Sequence, residues 1–152
     1  VRSSAASDVY KRQIKGHEGT GKTFMAKVFI GEAQMPYMII SRGEVRSATD
    51  IKKIFSVARL KKSCIIFFDE FDAIDKNDNG EKNCAQFNFE MSKKDNIFVV
   101  ATTRKENIER SVKRLGRFDI KIEMYFPDAK ERKEIIEYWC QKMKYLLVKI
   151  VL

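Results

Sequence analysis

The stretch GHEGTGKT, residues 16–23, restricts the fold of this chain more than any other. It fits the spacing G-x-x-x-x-G-K-[ST], with Gly16, Gly21, Lys22 and Thr23 in the fixed places and Gly19 and Thr20 between them. Glycines at this spacing let the backbone curl so that successive N–H groups point inward at phosphate oxygens. Lys22 is placed to reach the β- and γ-phosphates of a nucleotide, and the Thr23 hydroxyl to ligate Mg²⁺. The helix that follows such a loop adds its positive N-terminal end. The motif therefore demands a strand before it, a helix after it and an acidic partner downstream.

The helix is legible. TFMAKVFIGEAQ, Thr23 to Gln34, has no proline and mixes apolar residues with good helix formers. The acidic partner is legible too. CIIFFDEFDAID, Cys64 to Asp75, runs five apolar residues into Asp69-Glu70. An unbroken apolar run of this length suits a strand buried on both faces of a parallel sheet. Ligands of such sheets sit at the carboxyl ends of the strands, which brings both carboxylates beside the phosphate loop. Asp69 is expected to hold the Mg²⁺ shell, as a Walker-B aspartate does. Glu70, one residue on, is expected to polarise an attacking water.

The strand before the loop is the feature that fits worst. Such a strand is usually central and apolar, yet the residues before Gly16 read AASDVYKRQIK, polar and basic. The opening VRSSAASDVYKRQ also resembles translated sequencing-adapter artefacts at the ends of assembled reads. Residues 1–13 are therefore expected to be a non-native or disordered segment, with the first strand cut away, and they are left out of functional reasoning.

A length of 152 residues suits one domain with a real core. Hydrophobic content of 44% and charged content of 34% describe a soluble globular protein. No apolar run approaches the roughly 20 residues of a membrane span, and no secretory signal is expected. Cys64, Cys84 and Cys140 are scattered and in no C-x-x-C pairing, which suits free thiols in a reducing, intracellular compartment. One histidine and no cysteine pair exclude an ordinary zinc site. The net charge is +9; without residues 1–13, 27 cations face 20 anions. The lysines are spread along several predicted helices with no aromatic-interleaved basic patch, so nucleic acid is not the expected partner.

The remaining elements alternate in type. PYMIIS, 36–41, reads as a strand. SATDIKKIFSVARLKK follows as a helix, with Ser47 and Asp50 in a capping-box pattern and Ile51, Ile54, Phe55 and Ala58 on one apolar face. A helix near Glu81 to Lys93, a buried strand over Asn96 to Thr103 and a half-buried strand over Ile120 to Phe126 come next. The last helix, capped by Asp128, is expected to bury Ile135, Ile136, Trp139 and Met143. Strands alternating with helices predict an α/β fold: the parallel sheet with flanking helices of a P-loop NTPase.

These motifs together resemble the large subdomain of an AAA ATPase, most closely of the membrane-anchored AAA protease (FtsH-like) type. GHEGTGKT is similar to that family's Gly-Pro-Pro-Gly-Thr-Gly-Lys-Thr, CIIFFDEFDAID to its Walker-B strand, and RLGRFD, Arg114 to Asp119, to its Arg-Pro-Gly-Arg-Phe-Asp box. FPDAKERKEII continues as the family does, and the likeness covers roughly residues 14–145. The resemblance implies a large α/β subdomain over 14–127 and the first helix of a truncated C-terminal lid over 128–152. It implies ATP and Mg²⁺ as cofactors, a homo- or hetero-hexamer of AAA subunits as the assembly, and protein as the substrate. It places Thr103 at the sensor-1 position, usually asparagine, where a hydroxyl orients water. It places Arg117, with Arg114, at the arginine-finger positions that stabilise charge on a neighbour's γ-phosphate.

The departures carry expectations of their own. His17 and Glu18 replace the two prolines, which removes stiffness from the loop. Where the family carries an aromatic-hydrophobic-glycine pore loop, only VRSAT, Val45 to Thr49, fills the gap. No H-E-x-x-H occurs, so no protease site is expected in this chain. The resemblance implies Mg²⁺-dependent ATP hydrolysis driving protein remodelling or proteolysis in a ring. The alternative is a nucleotide-binding scaffold subunit that does not hydrolyse. A nucleic-acid-dependent ATPase of the clamp-loader kind fits the charge but not the RLGRFD box.

Overall fold

The computed structural model describes residues 11–74, 79–93, 95–104 and 118–151, with only the backbone described from 144 onward. Its elements run β1 (Lys11–Gly16), α1 (Lys22–Ala33), β2 (Tyr37–Ile40), α2 (Ala48–Arg59), β3 (Cys64–Phe68), a 3₁₀ turn (Phe71–Ala73), α3 (Gly80–Ser92), β4 (Ile97–Arg104), β5 (Ile120–Met124) and α4 (Ala129–Val151). The strands form one 5-stranded sheet in the order β2-β3-β4-β1-β5. Every pairing is parallel. This is the expected α/β sheet of a P-loop NTPase.

Alternation along β3 explains the layering. Ile65 and Phe67 point to the side covered by α1, where they join Ile14, Ala26, Ile30 and Val100. Ile66 and Phe68 point to the opposite side and pack with Ile51 and Phe55 of α2 and with Phe87 of α3. Successive residues of a strand face opposite ways, so an all-apolar strand must be covered twice. The second side holds an aromatic cluster in which Phe71 and Phe87 lie 4.5 Å apart and Phe55 and Phe87 meet edge to face at 5.8 Å. α2 starts as its sequence predicts. The Ser47 hydroxyl accepts from the Asp50 N–H, and the Asp50 carboxylate accepts from the Ser47 N–H at 2.9 Å.

Two expectations change. The first strand is present, and Lys11 to Gln13 belong to it, so the sheet extends into the segment set aside as 1–13. Its polar residues are matched by particular partners rather than by an apolar face. The Gln13 amide donates to the Thr103 hydroxyl at 3.0 Å, Arg12 lies over the Phe29 ring, and Lys15 pairs with Glu123 at 2.9 Å. The match is incomplete, because the buried Gln13 Oε1 has no partner among the described residues.

The second change concerns α4. Asp128 caps it, accepting from the Glu131 N–H at 2.8 Å while Glu131 returns a bond to the Asp128 N–H. Ile135, Ile136, Trp139 and Met143, expected to be buried, are all exposed. Their helical spacing describes an apolar stripe but does not supply a surface to cover it. No helix among the described residues is long and apolar enough to cross a membrane. Among the cysteines, Cys64 and Cys84 are buried and Cys140 is exposed, none in a disulfide.

Candidate nucleotide site

The loop between β1 and α1 sits at the carboxyl edge of the sheet, on an interior strand between β4 and β5. Gly16 ends β1 against β5. A Cβ at this position would stand 2.5 Å from the Met124 carbonyl oxygen and 2.9 Å from the Thr20 hydroxyl, so only glycine fits. Gly19 and Gly21 take positive φ angles of 80° and 86°, the left-handed region in which side chains are strained. Gly21 then caps α1, and its carbonyl accepts the first helical bond, from the Met25 N–H at 2.9 Å.

The His17 carbonyl oxygen organises the loop. It accepts from the Thr20 hydroxyl at 2.8 Å and from the Lys22 ammonium at 2.6 Å. The His17 ring stacks on Phe126 at 5.4 Å, and Glu18 pairs with Arg104 at 2.9 Å. The two residues that replace the family's prolines thus tether the loop through their side chains, where loss of stiffness was expected.

Lys22, Thr23, Asp69 and Glu70 come together as the sequence predicts. The Thr23 hydroxyl lies 3.0 and 3.2 Å from the two Asp69 carboxylate oxygens. A cleft of about 320 Å³ is lined by Gly19, Gly21, Lys22, Thr23, Asp69 and Glu70, with Glu18, Thr102, Thr103 and Arg104 at its walls. That volume is within the range of small-ligand sites, roughly 300–1,000 Å³. The Thr23 and Asp69 oxygens, close together and free of nitrogen or sulfur donors, fit magnesium, which takes one or two carboxylates plus phosphate oxygens and water.

Three features escaped sequence reasoning. Thr102, not Thr103, faces the acidic pair: its hydroxyl donates to Asp69 Oδ1 at 2.5 Å and accepts from the Glu70 N–H at 2.9 Å. The register foretells this. Phe68 sits beside Ala101, so Asp69 falls beside Thr102 and shares its side of the sheet. Thr103 is buried on the other side, where its hydroxyl accepts from Gln13, although it still reaches the cleft wall. Second, Glu70 occupies the left-handed region, φ 52° and ψ 49°. This is an uncommon conformation for a residue with a side chain. Third, both Glu70 carboxylate oxygens meet arginines, Oε1 with Arg104 at 3.2 Å and Oε2 with Arg42 at 3.4 Å. Arg104 stands directly after the ATT of β4, but nothing in its spacing marks it. Arg114 and Arg117 lie outside the described residues.

Residues 14–126 match the model of the ATPase family associated with various cellular activities (AAA). The chain is also similar to proteins called ATP-dependent zinc metalloprotease FtsH. It is 35% identical to that of Lancefieldella parvula over 149 residues, 86% of this chain and 23% of the relative. It is 34% identical to that of Acholeplasma laidlawii over 150 residues, 86% of this chain and 23% of the relative. For that of Karelsulcia muelleri the identity is 35% over 150 residues, 86% and 24% of the two chains. The chain thus spans about a quarter of the length of the relatives it matches. A phosphate loop on a central parallel strand, an acidic pair on β3 facing it, and a family match over most of the length agree: the chain belongs to the AAA ATPase family and is FtsH-like.

Proposed function

We propose that this chain binds ATP with Mg²⁺ and hydrolyses it by in-line attack of water, as one subunit of a hexameric ring that remodels or degrades protein. The Thr23–Asp69 contact carries the reading, because it brings a hydroxyl and a carboxylate together beside the phosphate loop. Lys22 exchanges the His17 carbonyl for the β- and γ-phosphates. Thr23 and Asp69 hold the metal, which neutralises charge on the phosphates. Thr102 keeps Asp69 and the Glu70 backbone in place, Glu70 takes the proton of the attacking water, and Thr103, given the water-orienting role by the resemblance, reaches only the cleft wall. Arg117 and Arg114 complete a neighbour's site. The ring rests on family membership, the protein substrate also on the name of the relatives, and an intracellular compartment on the scattered cysteines.

A non-hydrolysing scaffold is the second reading. One observation favours it: both Glu70 carboxylate oxygens are engaged by guanidinium groups. Calorimetry and phosphate release separate the two. Hydrolysis predicts ATP binding and turnover in the wild type, binding without turnover in Glu70→Gln, and weakened binding without turnover in Lys22→Ala. Binding without turnover in the wild type selects the scaffold. No ATP binding at all overturns both.

A further inference from the structure

We propose that Arg104 is a positioning residue for Glu70: it fixes Oε1, leaves Oε2 as the working base, and is shared with Glu18 of the phosphate loop. The inference rests on the ATPase reading above and adds residues to that site. Glu70 is held at two points by one strand. Thr102 takes its backbone N–H at 2.9 Å, and Arg104, two residues further along β4 and on the same side, takes its carboxylate at 3.2 Å. The root of Arg104 is fixed as well, since its N–H donates to Asp72 Oδ1 at 3.4 Å.

The two arginines on Glu70 are not equivalent. The Arg42 side chain is 66% exposed and its contact is 3.4 Å, whereas that of Arg104 is 29% exposed. An exposed pair of the Arg42 kind contributes about 0–1 kcal/mol and exchanges readily with water. Oε2 is therefore the oxygen open to a water molecule, and Oε1 is the anchored one.

Glu18 makes the arrangement responsive. Its carboxylate lies 2.9 Å from the same Nη2 atom that serves Glu70. Nη2 carries two N–H groups, one for each carboxylate, and its one charge is divided between them, with the smaller share going to the 75% exposed Glu18. The phosphate loop therefore helps to set how tightly the base is held.

The test uses the full chain and measures ATP affinity by calorimetry beside kcat and KM. Arg104→Ala should lower kcat about tenfold, a fraction of what a positioned base contributes, while ATP affinity stays within about twofold. Arg104→Lys should restore much of the loss, because an ammonium can still fix one oxygen. In a Glu70→Gln background, Arg104→Ala should have no further effect on kcat. Glu18→Ala, which leaves Arg104 to Glu70 alone, should raise kcat. An unchanged or faster Arg104→Ala, or one whose ATP affinity falls as far as its kcat, overturns the positioning role alone. A wild type that binds no ATP overturns the nucleotide reading beneath it.

Discussion

Thr23 and Asp69, 46 residues apart in the chain, meet hydroxyl to carboxylate at 3.0 Å across the mouth of the phosphate loop. Asp69→Asn keeps an oxygen for Thr23 and Thr102 but removes the charge. The fold should survive, while the gain in ATP affinity on adding Mg²⁺ should be lost. Titrations with Mg²⁺ and with a chelator check this. The wild type should tighten about tenfold or more with metal, about 1.4 kcal/mol, and the variant hardly at all.

Lys22 carries the charge that the loop presents to phosphate, held at 2.6 Å by the His17 carbonyl. Lys22→Ala removes a charge-assisted bond of about 1.5–3 kcal/mol. ATP affinity should therefore fall at least about tenfold, with little change in the melting temperature. Equal affinity in the two proteins, by calorimetry, counts against a phosphate role for the loop.

Gly16→Ala tests the junction of β1 and β5. The added methyl would press on the Met124 carbonyl oxygen, a backbone atom that cannot turn aside. A cost of about 1–3 kcal/mol is expected, the usual penalty of overpacking, together with weaker ATP binding. Chemical denaturation reads the first and calorimetry the second. The same substitution at the exposed Gly31 of α1, where a Cβ meets nothing within 4 Å, should be neutral or slightly stabilising.

Glu90 makes the fold sensitive to acid. Its buried carboxylate on α3 accepts from Arg59 at 2.6 Å and from Lys93 at 2.8 Å. Burial pushes this carboxyl up, but the bonds from Lys93 and Arg59 outweigh it and hold it below the usual carboxylate range. A group whose folded value is depressed stabilises the protein above its unfolded value, about 4.3, and that contribution is lost as pH falls through the folded value. Melting temperatures should drop between pH 5 and lower pH, more in the wild type than in Glu90→Gln. Glu90→Ala should cost about 1–3 kcal/mol at neutral pH, because charge-assisted bonds from Arg59 and Lys93 are lost, while Arg59 keeps Asp95.

Val45 to Thr49 should not thread polypeptide. Val45 is buried in the core, Ser47 is the cap of α2, and Ala48 and Thr49 form its first turn, so the segment has structural duties at nearly every position. It also lacks the aromatic that offers large contact area to any sequence. Rings made of this subunit alone should hydrolyse ATP without unfolding a tagged substrate. ATP-dependent unfolding by such rings would show the expectation to be mistaken.

The sequence makes the parts that depend on periodicity or spacing legible. β3 is an unbroken apolar run and β4 opens with one, α2 declares its cap, and the phosphate loop and acidic pair are read by position. What it conceals depends on partners distant in the chain. β1 looks unlike a central strand because Gln13 and Arg12 find Thr103 and Phe29 only after folding. Thr102 and Thr103 are identical neighbours, and only the sheet's register assigns them to opposite sides. Arg104 appears as one cation among 30, and only the approach of Glu70 and Glu18 singles it out. The stripe on α4 misleads for the converse reason: a periodic face records what a helix is able to bury, not what it meets.

The sheet order also sets a timetable for folding. The strand that carries the phosphate loop lies between β4 and β5, and its contact from Lys11 to Asp119 closes 108 residues of chain. β2, β3 and β4 are contiguous in the sheet and can pair as they emerge during synthesis, and β1 can join β4, but its other edge must wait for β5. Contacts that close long loops form late and slowly. A growing chain therefore displays Asp69 and Glu70 on an ordered sheet before the loop opposite them has both of its walls. Nucleotide added early in refolding should accelerate only the last step, the closing of β5 against β1.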